Sequence, residues 1–460
     1  MSSLVHPSNP GHYRLLSPVL LLLALGLYVY FQVLPLLGDR GTGIVGLAAH
    51  SNDYKHVYLG SRLLFDGLSP YDRSVLSSVA YDYSQTVDPR FRSILPYVYL
   101  PFTGLVMRPF SLLPFAQSVV AFQLFNHVLL LGGLVLLWWI GRRAGARWMP
   151  LWFLVAWVVW NAAVARQNAA GQLNVVLFFG MALLAWGVER GKRAAGHALA
   201  TAPALGFLAA FLMLFKLSPG IFLFWFLLRR EWSLAAWMVG WALVLTALTV
   251  VLFGLPVHLE FLPLLRDMGY GRSTWGDLPT QPQTFWRDPY NQSFNALFHR
   301  LLVEKEGSGI TPWLNLPHGA ANAATWLTSL VILGSLGAVV WRTARRTDAL
   351  LTGFSAAVCA SLLLPSIMWD HYLVQALVPA ALLWAEASRR DRRLSLVLIV
   401  LAVLIICLPV AFDSDIFRQG PLLILMSLKL VPPLMLFIIA LHFAHSSTLH
   451  QTGEGETQSS

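Results

Sequence analysis

The sequence contains few charged residues and almost no cysteine. Only 12% of its 460 residues are Asp, Glu, Lys or Arg, while 57% are hydrophobic. A soluble domain carries roughly a quarter charged residues, so this composition excludes an ordinary soluble domain and favours a membrane protein with many spans. The two cysteines, Cys359 and Cys407, both fall inside apolar runs, which excludes a disulfide framework and a cysteine-based metal site.

The sequence also lacks a continuous basic face, an internal repeat and a recognisable signal-cleavage site. Its net charge of +10 is spread over short basic clusters between apolar runs. That is the pattern of membrane orientation signals and not of a nucleic-acid-binding surface. The first apolar run, residues 15–37, is longer than the roughly 7–15 residues of a signal-peptide core. We therefore expect a retained first transmembrane helix and no nucleic-acid partner.

Runs long enough to cross a bilayer recur along the chain, since a spanning helix needs about 20 apolar residues. The clearest runs are 15–37, 117–140, 148–164, 172–188, 233–253, 322–341, 349–366, 394–411 and 421–443. Three further segments are ambiguous. They are 97–115, which contains three prolines, 197–228, which is broken at FKLSPG, and the short run 371–386.

The basic clusters decide how the ambiguous segments are oriented. These clusters lie at 142–147, 189–193, 229–231, 342–346 and 389–393, and the positive-inside rule assigns all of them to the cytoplasm. All five clusters lie on the cytoplasmic side if 97–115 does not cross the membrane fully, 197–228 forms a hairpin within the membrane and 371–386 crosses it. The sequence then predicts an all-α polytopic protein of the cell (plasma) membrane with about 12 transmembrane helices.

This orientation divides the chain into a membrane domain and two cytoplasmic ends. The membrane domain covers 15–443, the cytoplasmic N-terminus covers 1–14, and a disordered cytoplasmic tail covers 444–460. Two long loops, 38–96 and 254–321, face the extracytoplasmic side.

Each long outer loop contains a pattern typical of a short helix. The apolar spacing after Asn52 and Asp53 predicts a helix over 53–65, capped by one of these two residues. A second helix is predicted from near Asn291 or Ser293 to residue 302. We expect both helices to lie along the outer membrane surface and to roof a cavity.

Six segments, spread through most of the chain, share an order and spacing with a known enzyme family. They are SNDYKHVYLGSRLLFDGLSPYD (51–72), YVYLPFTGLVMRPFSLLP (97–114), AAGQLNVVLFFGMALLAW (169–186), FKLSPGIFLFWFLLRREW (215–232), NQSFNALFHRLL (291–302) and WDHYLVQALVPAALLW (369–384). In these segments the chain resembles glycosyltransferase family 87, a group of polyprenyl-phosphate-dependent mannosyltransferases. The region 266–287 departs from the family pattern, which leaves the acceptor open.

The resemblance implies a fold and an activity. The fold is the GT-C glycosyltransferase fold, with interfacial helices in the two outer loops. The activity is inverting transfer of a hexose, most simply mannose, from a polyprenyl-phosphate donor to a glycolipid or polysaccharide acceptor on the extracytoplasmic face, in cell-envelope biosynthesis. Transfer of a pentose such as arabinofuranose is an alternative within the same fold.

Three residues are the main candidates for this chemistry. Asp53 is the acid in the first outer loop that matches the family's catalytic base, although it could simply cap its helix. Lys216 sits between two apolar half-helices, where a charge is costly and a phosphate is a suitable partner; a snorkelling lysine is the alternative. His371, and less so Asp370 and Tyr372, could contact phosphate or sugar, pair with Asp53, or be an ordinary interfacial residue. We expect Lys216 and His371 in the floor of the cavity.

Further polar residues are candidates for substrate binding, and all of them could instead be helix caps or interhelical hydrogen-bonding groups. They are Asn52, Gln172 with its neighbour Asn174, Asn291, Gln292 and Arg300. No cofactor is expected. Metal dependence stays open, because Asp413 and Asp415 form a D-x-D pair in a late loop, far from Asp53 in the sequence.

Two other classes of function compete with the enzyme. A transporter or lipid flippase would place its ionisable groups near the bilayer midplane, in repeated broken helices, whereas here they cluster in outer loops and no repeat is visible. A structural membrane subunit leaves the cost of Lys216 unexplained. The enzyme is therefore favoured, with a lipid-linked donor, a glycolipid or polysaccharide acceptor and the lipid bilayer as its partners.

Overall fold

The apolar runs fold into α-helices, which satisfy their backbone hydrogen bonds within each segment, as a lipid environment requires. A computed structural model describes residues 10–34, 53–143, 151–193, 198–271, 288–304 and 308–446. Residues 447–460 of the predicted tail 444–460 and the candidate Asn52 lie outside these residues, while 444–446 belong to the last helix. Within them, β-pairing amounts to two isolated bridges, Asn291 with Trp369 and Thr311 with Gln419.

The first half of the chain contains α1 (Pro10–Tyr28), α2 (Tyr54–Phe65), α3 (Arg73–Thr86), α4 (Pro101–Ser111), α5 (Phe115–Arg143), α6 (Leu151–Val159), α7 (Ala162–Ala170), α8 (Asn174–Arg193) and α9 (Ala198–Phe215). The second half contains α10 (Ile221–Leu228), α11 (Trp232–Phe253), α12 (Leu255–Asp267), α13 (Phe294–Leu302), α14 (His318–Arg342), α15 (Leu350–Leu363), α16 (Leu377–Arg389), α17 (Arg393–Cys407) and α18 (Val431–Ser446). Single-turn and 3₁₀ segments connect them at Val29–Val33, Pro89–Arg92, Ser218–Gly220, Asp370–Ala376, Asp415–Arg418 and Gly420–Leu430.

Several helices are suited to crossing a membrane. Four in the described part are long and apolar enough to do so alone: Phe115–Arg143, Trp232–Phe253, His318–Arg342 and Gly420–Ser446. Shorter apolar helices occur at Pro18–Val33, Thr201–Phe215, Ser218–Leu228, Leu350–Leu363 and Arg393–Cys407. The described part of the chain is thus all-helical and consistent with a polytopic membrane protein, and the number of crossings stays a prediction.

The segment with three prolines forms a short helix. Helix α4 contains 11 residues and is therefore about 16 Å long, roughly half the thickness of a bilayer core. Pro101 occupies its first turn, where a missing N–H costs nothing. This length agrees with the expectation that 97–115 does not cross the membrane alone.

Helices α2 and α13 have nearly the predicted bounds, 53–65 and 291–302. Most of the residues in both helices are buried by the rest of the protein. Nearly every residue of α2 is buried, because α2 packs against α4. Gly60 and Gly104 permit the close approach: a Cβ on Gly60 would overlap the ring of Tyr97, and one on Gly104 would overlap Leu64. Cover by other parts of the protein does not set the depth of α2 in the bilayer, so its position along the outer membrane surface stays a prediction.

The bundle has two chemically different ends. Helix α8 runs from Asn174 to Arg193, and α9 returns from Ala198 to the residue before Lys216. Lys216 hydrogen-bonds to Asn174 at 2.9 Å, so these two residues share one end, here called the site end. The basic residues that finish α8 lie at the opposite end, here called the basic end.

The other basic clusters join one another at helix ends. The Arg229 guanidinium donates to the Arg346 carbonyl at 3.3 Å, and Arg390 donates to the Ser446 hydroxyl at 3.1 Å. Arg389 lies within electrostatic range of Asp348. These contacts connect the clusters 229–231, 342–346 and 389–393 with the C-terminal end of α18.

Candidate functional site

Asp53 directly precedes α2, and its backbone is tied to a different part of the bundle. Its N–H donates to the Ala170 carbonyl at 3.0 Å, at the end of α7. Its carboxylate makes no capping hydrogen bond to α2. Instead, Oδ2 accepts a hydrogen bond of 2.8 Å from Nε2 of Gln172. The geometry therefore differs from that of a residue that only caps a helix.

A second hydrogen bond fixes the orientation of the Gln172 amide. The Tyr99 hydroxyl donates to Oε1 of Gln172 at 3.0 Å, and burial raises the pKa of Tyr99, which keeps this hydroxyl protonated. With Oε1 engaged, the amide NH₂ faces Asp53 and can only donate. The Asp53 carboxylate must therefore be an acceptor, as an ionised carboxylate is.

Opposing effects act on the pKa of Asp53. Burial of the carboxyl is the largest and raises its pKa above the ordinary value, while the Gln172 hydrogen bond and the charges of Lys55 and Arg166 lower it. Lys55 donates to the Arg90 carbonyl at 2.8 Å, and burial lowers its own pKa to about 8. Neighbouring His56 is turned away, because its Nδ1 accepts from the Leu95 N–H at 3.1 Å.

Lys216 is connected to Asp53 through a chain of side-chain amides. Its ammonium donates to Oδ1 of Asn174 at 2.9 Å, and Nδ2 of Asn174 donates to Oε1 of Gln167 at 2.8 Å. Gln167 in turn donates to the Gln172 backbone carbonyl. Lys216 Nζ also lies 3.3 Å from the centre of the Tyr372 ring, a cation–π contact. The chain brings Asp53, Gln172 and Lys216 together as one site.

A cavity of about 480 Å³ opens beside this network. Tyr99, Lys216 and Tyr372 line its polar part, and its apolar walls include Leu100, Leu217, Ile221, Phe261, Leu265 and Ile367. Asp53 lies behind Tyr99, one hydrogen-bonded amide away. Lys216 lines this cavity, whose walls include residues of α10 and α12 and none of α2 or α13. A cavity roofed by α2 and α13 stays a prediction.

His371 and Asp370 lie at the start of the 370–376 segment and are both buried. Nδ1 of His371 is 3.8 Å from Oδ1 of Asp370, so the nearest acid to His371 is Asp370 and not Asp53. His371 also stands edge-on to the Tyr372 ring, 5.0 Å away. Lys216 and Arg166 act on His371 electrostatically, which puts it in the same site without placing it in the cavity wall.

Two cations hold Asp370. Nε of Arg166 is 3.0 Å from Oδ1, and Nζ of Lys429 is 3.2 Å from Oδ2. The Arg166 guanidinium stacks on the Tyr290 ring at 3.3 Å. About a third of the Arg166 side chain stays exposed, whereas the Asp370 and Lys429 side chains are almost fully buried. Arg166 is thus a positioned cation with an accessible face, close to Asp53 and His371.

Two of the remaining predicted substrate-binding residues, Asn291 and Gln292, bond to the backbone of segments next to the site. Asn291 Oδ1 accepts from the N–H groups of Ser293 and Met368, and Gln292 bonds to the backbone at Pro289, Met426 and Lys429. Their side chains fix the segment that carries Asp370.

Arg300 is completely buried, so it neither faces lipid headgroups nor reaches the cavity. Its guanidinium donates to the Ser427 hydroxyl and to the carbonyls of Asp288 and Asn291. The polar atoms of Asn291, Gln292 and Arg300 thus bond within the protein, and the expected contacts of these residues with substrate stay a prediction. The D-x-D acids also bond internally: both Asp413 and Asp415 face Arg418, at 2.8 and 3.6 Å.

Sequence reasoning missed Tyr99, Arg166 and Lys429. Lys429 could have been found, since it is a charge inside an apolar run, and the same rule had singled out Lys216. Arg166 lies in the polar connection between α6 and α8, where nothing in the sequence distinguishes it from a surface arginine. Tyr99 carries no signal, because only the fold brings it to Gln172.

The sequence of the chain is similar to those of known proteins. The sequence profile of glycosyltransferase family 87 matches residues 97–368. Over 408 residues the chain is 25% identical to the polyprenol-phosphate-mannose-dependent alpha-(1-2)-phosphatidylinositol mannoside mannosyltransferase of Mycobacterium tuberculosis, and the match covers 82% of this chain and 81% of that protein. No solved structure matches the chain. Since the family profile covers more than half of the sequence, the chain belongs to glycosyltransferase family 87 and is a glycosyltransferase.

Proposed function

We propose that this protein transfers mannose from polyprenyl-phosphate mannose to a glycolipid acceptor on the extracytoplasmic face of the membrane. The observation that supports this most strongly is the joining of Asp53 to Lys216 through Gln172, Gln167 and Asn174. The network stands beside a cavity that is polar at Lys216 and apolar beyond it. A base, a cation for phosphate and a lipid-sized groove are the parts that this reaction requires.

The donor fits the cavity in one orientation. Its phosphate lies at Lys216, where a lysine already desolvated by the protein gains a compensating negative charge. Its prenyl chain follows the apolar walls formed by Leu217, Ile221, Phe261 and Leu265. This arrangement directs the sugar past Tyr99 toward Asp53.

The transfer step is a single displacement. The acceptor oxygen attacks the anomeric carbon while Asp53 takes the hydroxyl proton, and the bond from that carbon to the phosphate oxygen breaks. The electron pair leaves with the polyprenyl phosphate, whose charge Lys216 stabilises together with His371. Attack from the face opposite the leaving group inverts the anomeric configuration. The Gln172 hydrogen bond holds Oδ2, so the proton is taken at Oδ1.

The proposed location follows from the two ends of the bundle. Five basic clusters obey the positive-inside rule only if the basic end is cytoplasmic, which puts the site end outside. The protein then binds its polyprenyl-phosphate sugar from the outer leaflet. A GT-C architecture, with its site at the junction of the helix bundle and the outer segments, agrees with the position of Asp53 and Lys216.

The acceptor is proposed by analogy with the relative, whose name specifies a phosphatidylinositol mannoside. A lipid-anchored acceptor is also consistent with a site that lies close to apolar helix surfaces. The linkage formed is a separate question, answered by analysis of the product.

The test is a transfer assay with purified protein in lipid nanodiscs. Labelled polyprenyl-phosphate mannose is supplied with a phosphatidylinositol mannoside, and a polyprenyl-phosphate pentose serves as the competing donor. We expect labelled glycolipid with mannose and far less with the pentose. Transfer of the pentose alone, or of neither sugar to any lipid acceptor offered, would overturn the proposal. A parallel reaction with a chelator decides metal dependence.

A further inference from the structure

A second apolar groove lies on a different side of the site from the donor cavity. Its volume is about 430 Å³, and side chains of α6, α16 and α17 line it. Trp157, Trp160 and Trp384 form much of the lining, with Val400, Val403 and Cys407 along α17. From Val400 to Cys407, seven residues of helix, the groove follows α17 for about 10 Å.

The end of this groove at Cys407 lies near the cations of the site. Trp157 and Cys407 line the groove together, and Lys429 is within electrostatic range of the Cys407 thiol. Lys429 is bound to Asp370, which also holds Arg166. Helix α17 packs against both α7, which carries Arg166, and the Gly420–Leu430 segment, which carries Lys429. The helix that lines the groove therefore also packs against the two elements that carry these cations.

We propose that this groove holds a fatty acyl chain of the acceptor lipid, whose phosphate contacts Arg166. This inference rests on the proposed function, because it assigns the second substrate of the same reaction. An apolar groove along a helix that packs against the element carrying a partly exposed guanidinium matches an anionic phospholipid in both chain and headgroup. The donor occupies the other cavity, which ends at Lys216. The two lipids then approach from different sides and meet at Asp53, which is within electrostatic range of Arg166.

This arrangement accounts for the pairing of Arg166 with a buried acid. Asp370 and Tyr290 hold the guanidinium from one side, which limits the entropy lost when it binds a phosphate. Lys429 offsets the charge of Asp370 at 3.2 Å, so the cluster keeps a net positive charge toward the acceptor. Arg166 is in this account a binding residue, and Asp370 and Lys429 are positioning residues.

The first test needs no catalysis. Wild-type protein in nanodiscs is irradiated with a phosphatidylinositol that carries a diazirine on one acyl chain, and labelled peptides are mapped by mass spectrometry. We expect label on α6, α16 or α17, and we expect unlabelled phosphatidylinositol mannoside to compete for it while polyprenyl phosphate does not. Label that only polyprenyl phosphate displaces would assign the groove to the donor, and label that neither lipid displaces would make it a site for bulk lipid. Either result would overturn the inference.

The second test fills the groove. Val403→Trp should raise the KM for a diacylated phosphatidylinositol mannoside at least tenfold, while the KM for the donor and the rate with a deacylated acceptor stay within twofold. Leu401→Trp is the matched control, because Leu401 on the same helix is exposed and outside the groove. Equal effects on both acceptors would contradict an acyl site. If wild-type protein transfers no mannose, the proposed function fails, and the crosslinking result still decides whether the groove binds an inositol lipid.

Discussion

At the scale of single residues, Asp53 is held between effects of opposite sign. Burial raises its pKa, and the hydrogen bond from Gln172 lowers it. A carboxylate with a raised pKa is a stronger base than an ordinary aspartate, and it still has to be ionised at the working pH to accept a proton. Gln172 therefore adjusts the base without touching the reacting atoms, and Tyr99 keeps Gln172 in the donating orientation.

Replacing Gln172 should move the pH dependence of transfer. The base acts when ionised, so activity is present above the pKa of Asp53 and is lost as the pH falls through it. Gln172→Leu removes a hydrogen bond that stabilises the ionised form, so the pKa rises further and the acid limb of kcat/KM shifts to higher pH. Gln85→Leu is the control, since Gln85 bonds only to Ser84 within its own helix in the described structure. An unchanged acid limb in Gln172→Leu would separate Asp53 from the rate-determining proton transfer.

The buried ion pair of Asp370 makes a different residue-scale prediction. Asp370→Asn leaves Lys429 without its partner in the interior, which typically costs about 3–5 kcal/mol. Lys429→Met should cost less, because Asp370 keeps Arg166, and the double variant should recover part of the Asp370→Asn loss. Denaturant unfolding in detergent measures all three. Asp413→Asn, in the exposed pair with Arg418, should cost at most about 1 kcal/mol. Strictly additive losses would show that the two residues are not coupled.

At the scale of elements, the contact between α2 and α4 determines where Asp53 lies. Gly104 of α4 packs against Leu64 of α2, and Gly60 of α2 packs against Tyr97, which precedes α4; Ser61 adds a hydrogen bond of 2.8 Å to the Gly104 carbonyl. A side chain at either glycine would shift α2 against these neighbours. Because Asp53 immediately precedes α2, such a shift also moves the carboxylate away from Gln172.

Gly60→Ala should therefore lower both stability and transfer rate. The added methyl meets the Tyr97 ring, and overpacking of this kind costs about 1–3 kcal/mol. Gly240→Ala is the matched control, because its methyl meets nothing within 4 Å in the middle of α11, and alanine stabilises a helix interior by about 0.5–1 kcal/mol. The unfolding temperature and the transfer rate are measured for both variants. Equal values for Gly60→Ala and Gly240→Ala would argue against close packing of Gly60 on Tyr97.

Element boundaries could largely be predicted from local sequence, whereas the contacts between elements could not. The spacing of Tyr54, Val57, Tyr58 and Leu64 predicted α2 almost to the residue, because helical periodicity is a local property. Ser293 was one of two predicted starts of α13, and its hydroxyl does cap that helix by accepting from the Ala296 N–H. The burial of α2 and α13 was underestimated, because the polar and apolar pattern of one helix does not show which other element covers it.

Site residues could be predicted only where a polar or charged residue interrupts an apolar stretch of the sequence. Lys216 is a charge between apolar half-helices, and Gln172 lies in a polar connection between apolar runs. By contrast, Arg166 becomes recognisable only through its contact with Asp370, and such long-range pairing leaves no trace in one sequence. For the same reason, the internal partners of Arg300, Ser427 and Asp288, could not be predicted, because they lie in other segments.

At the scale of the whole molecule, the two ends of the bundle should face opposite sides of the membrane. Asp66 and Arg345 are both exposed, and they belong to the site end and the basic end. In a background lacking Cys359 and Cys407, Asp66→Cys should react with an impermeant maleimide added to intact cells. Arg345→Cys should react only after permeabilisation. Labelling of both from outside would refute the proposed topology and the use of a donor in the outer leaflet.

The central claim is that Asp53 takes the acceptor proton, and Asp53→Asn tests it most directly. The Asn side-chain oxygen can still accept from Gln172, so unfolding temperature and donor binding should stay close to wild type. Since an amide cannot take a proton, the transfer rate should fall by roughly 10²-fold or more. Asp66→Asn, at the far end of the same helix, should retain most of the activity. If Asp53→Asn folds normally and transfers mannose at a near-normal rate, Asp53 is not the base, and the account is contradicted.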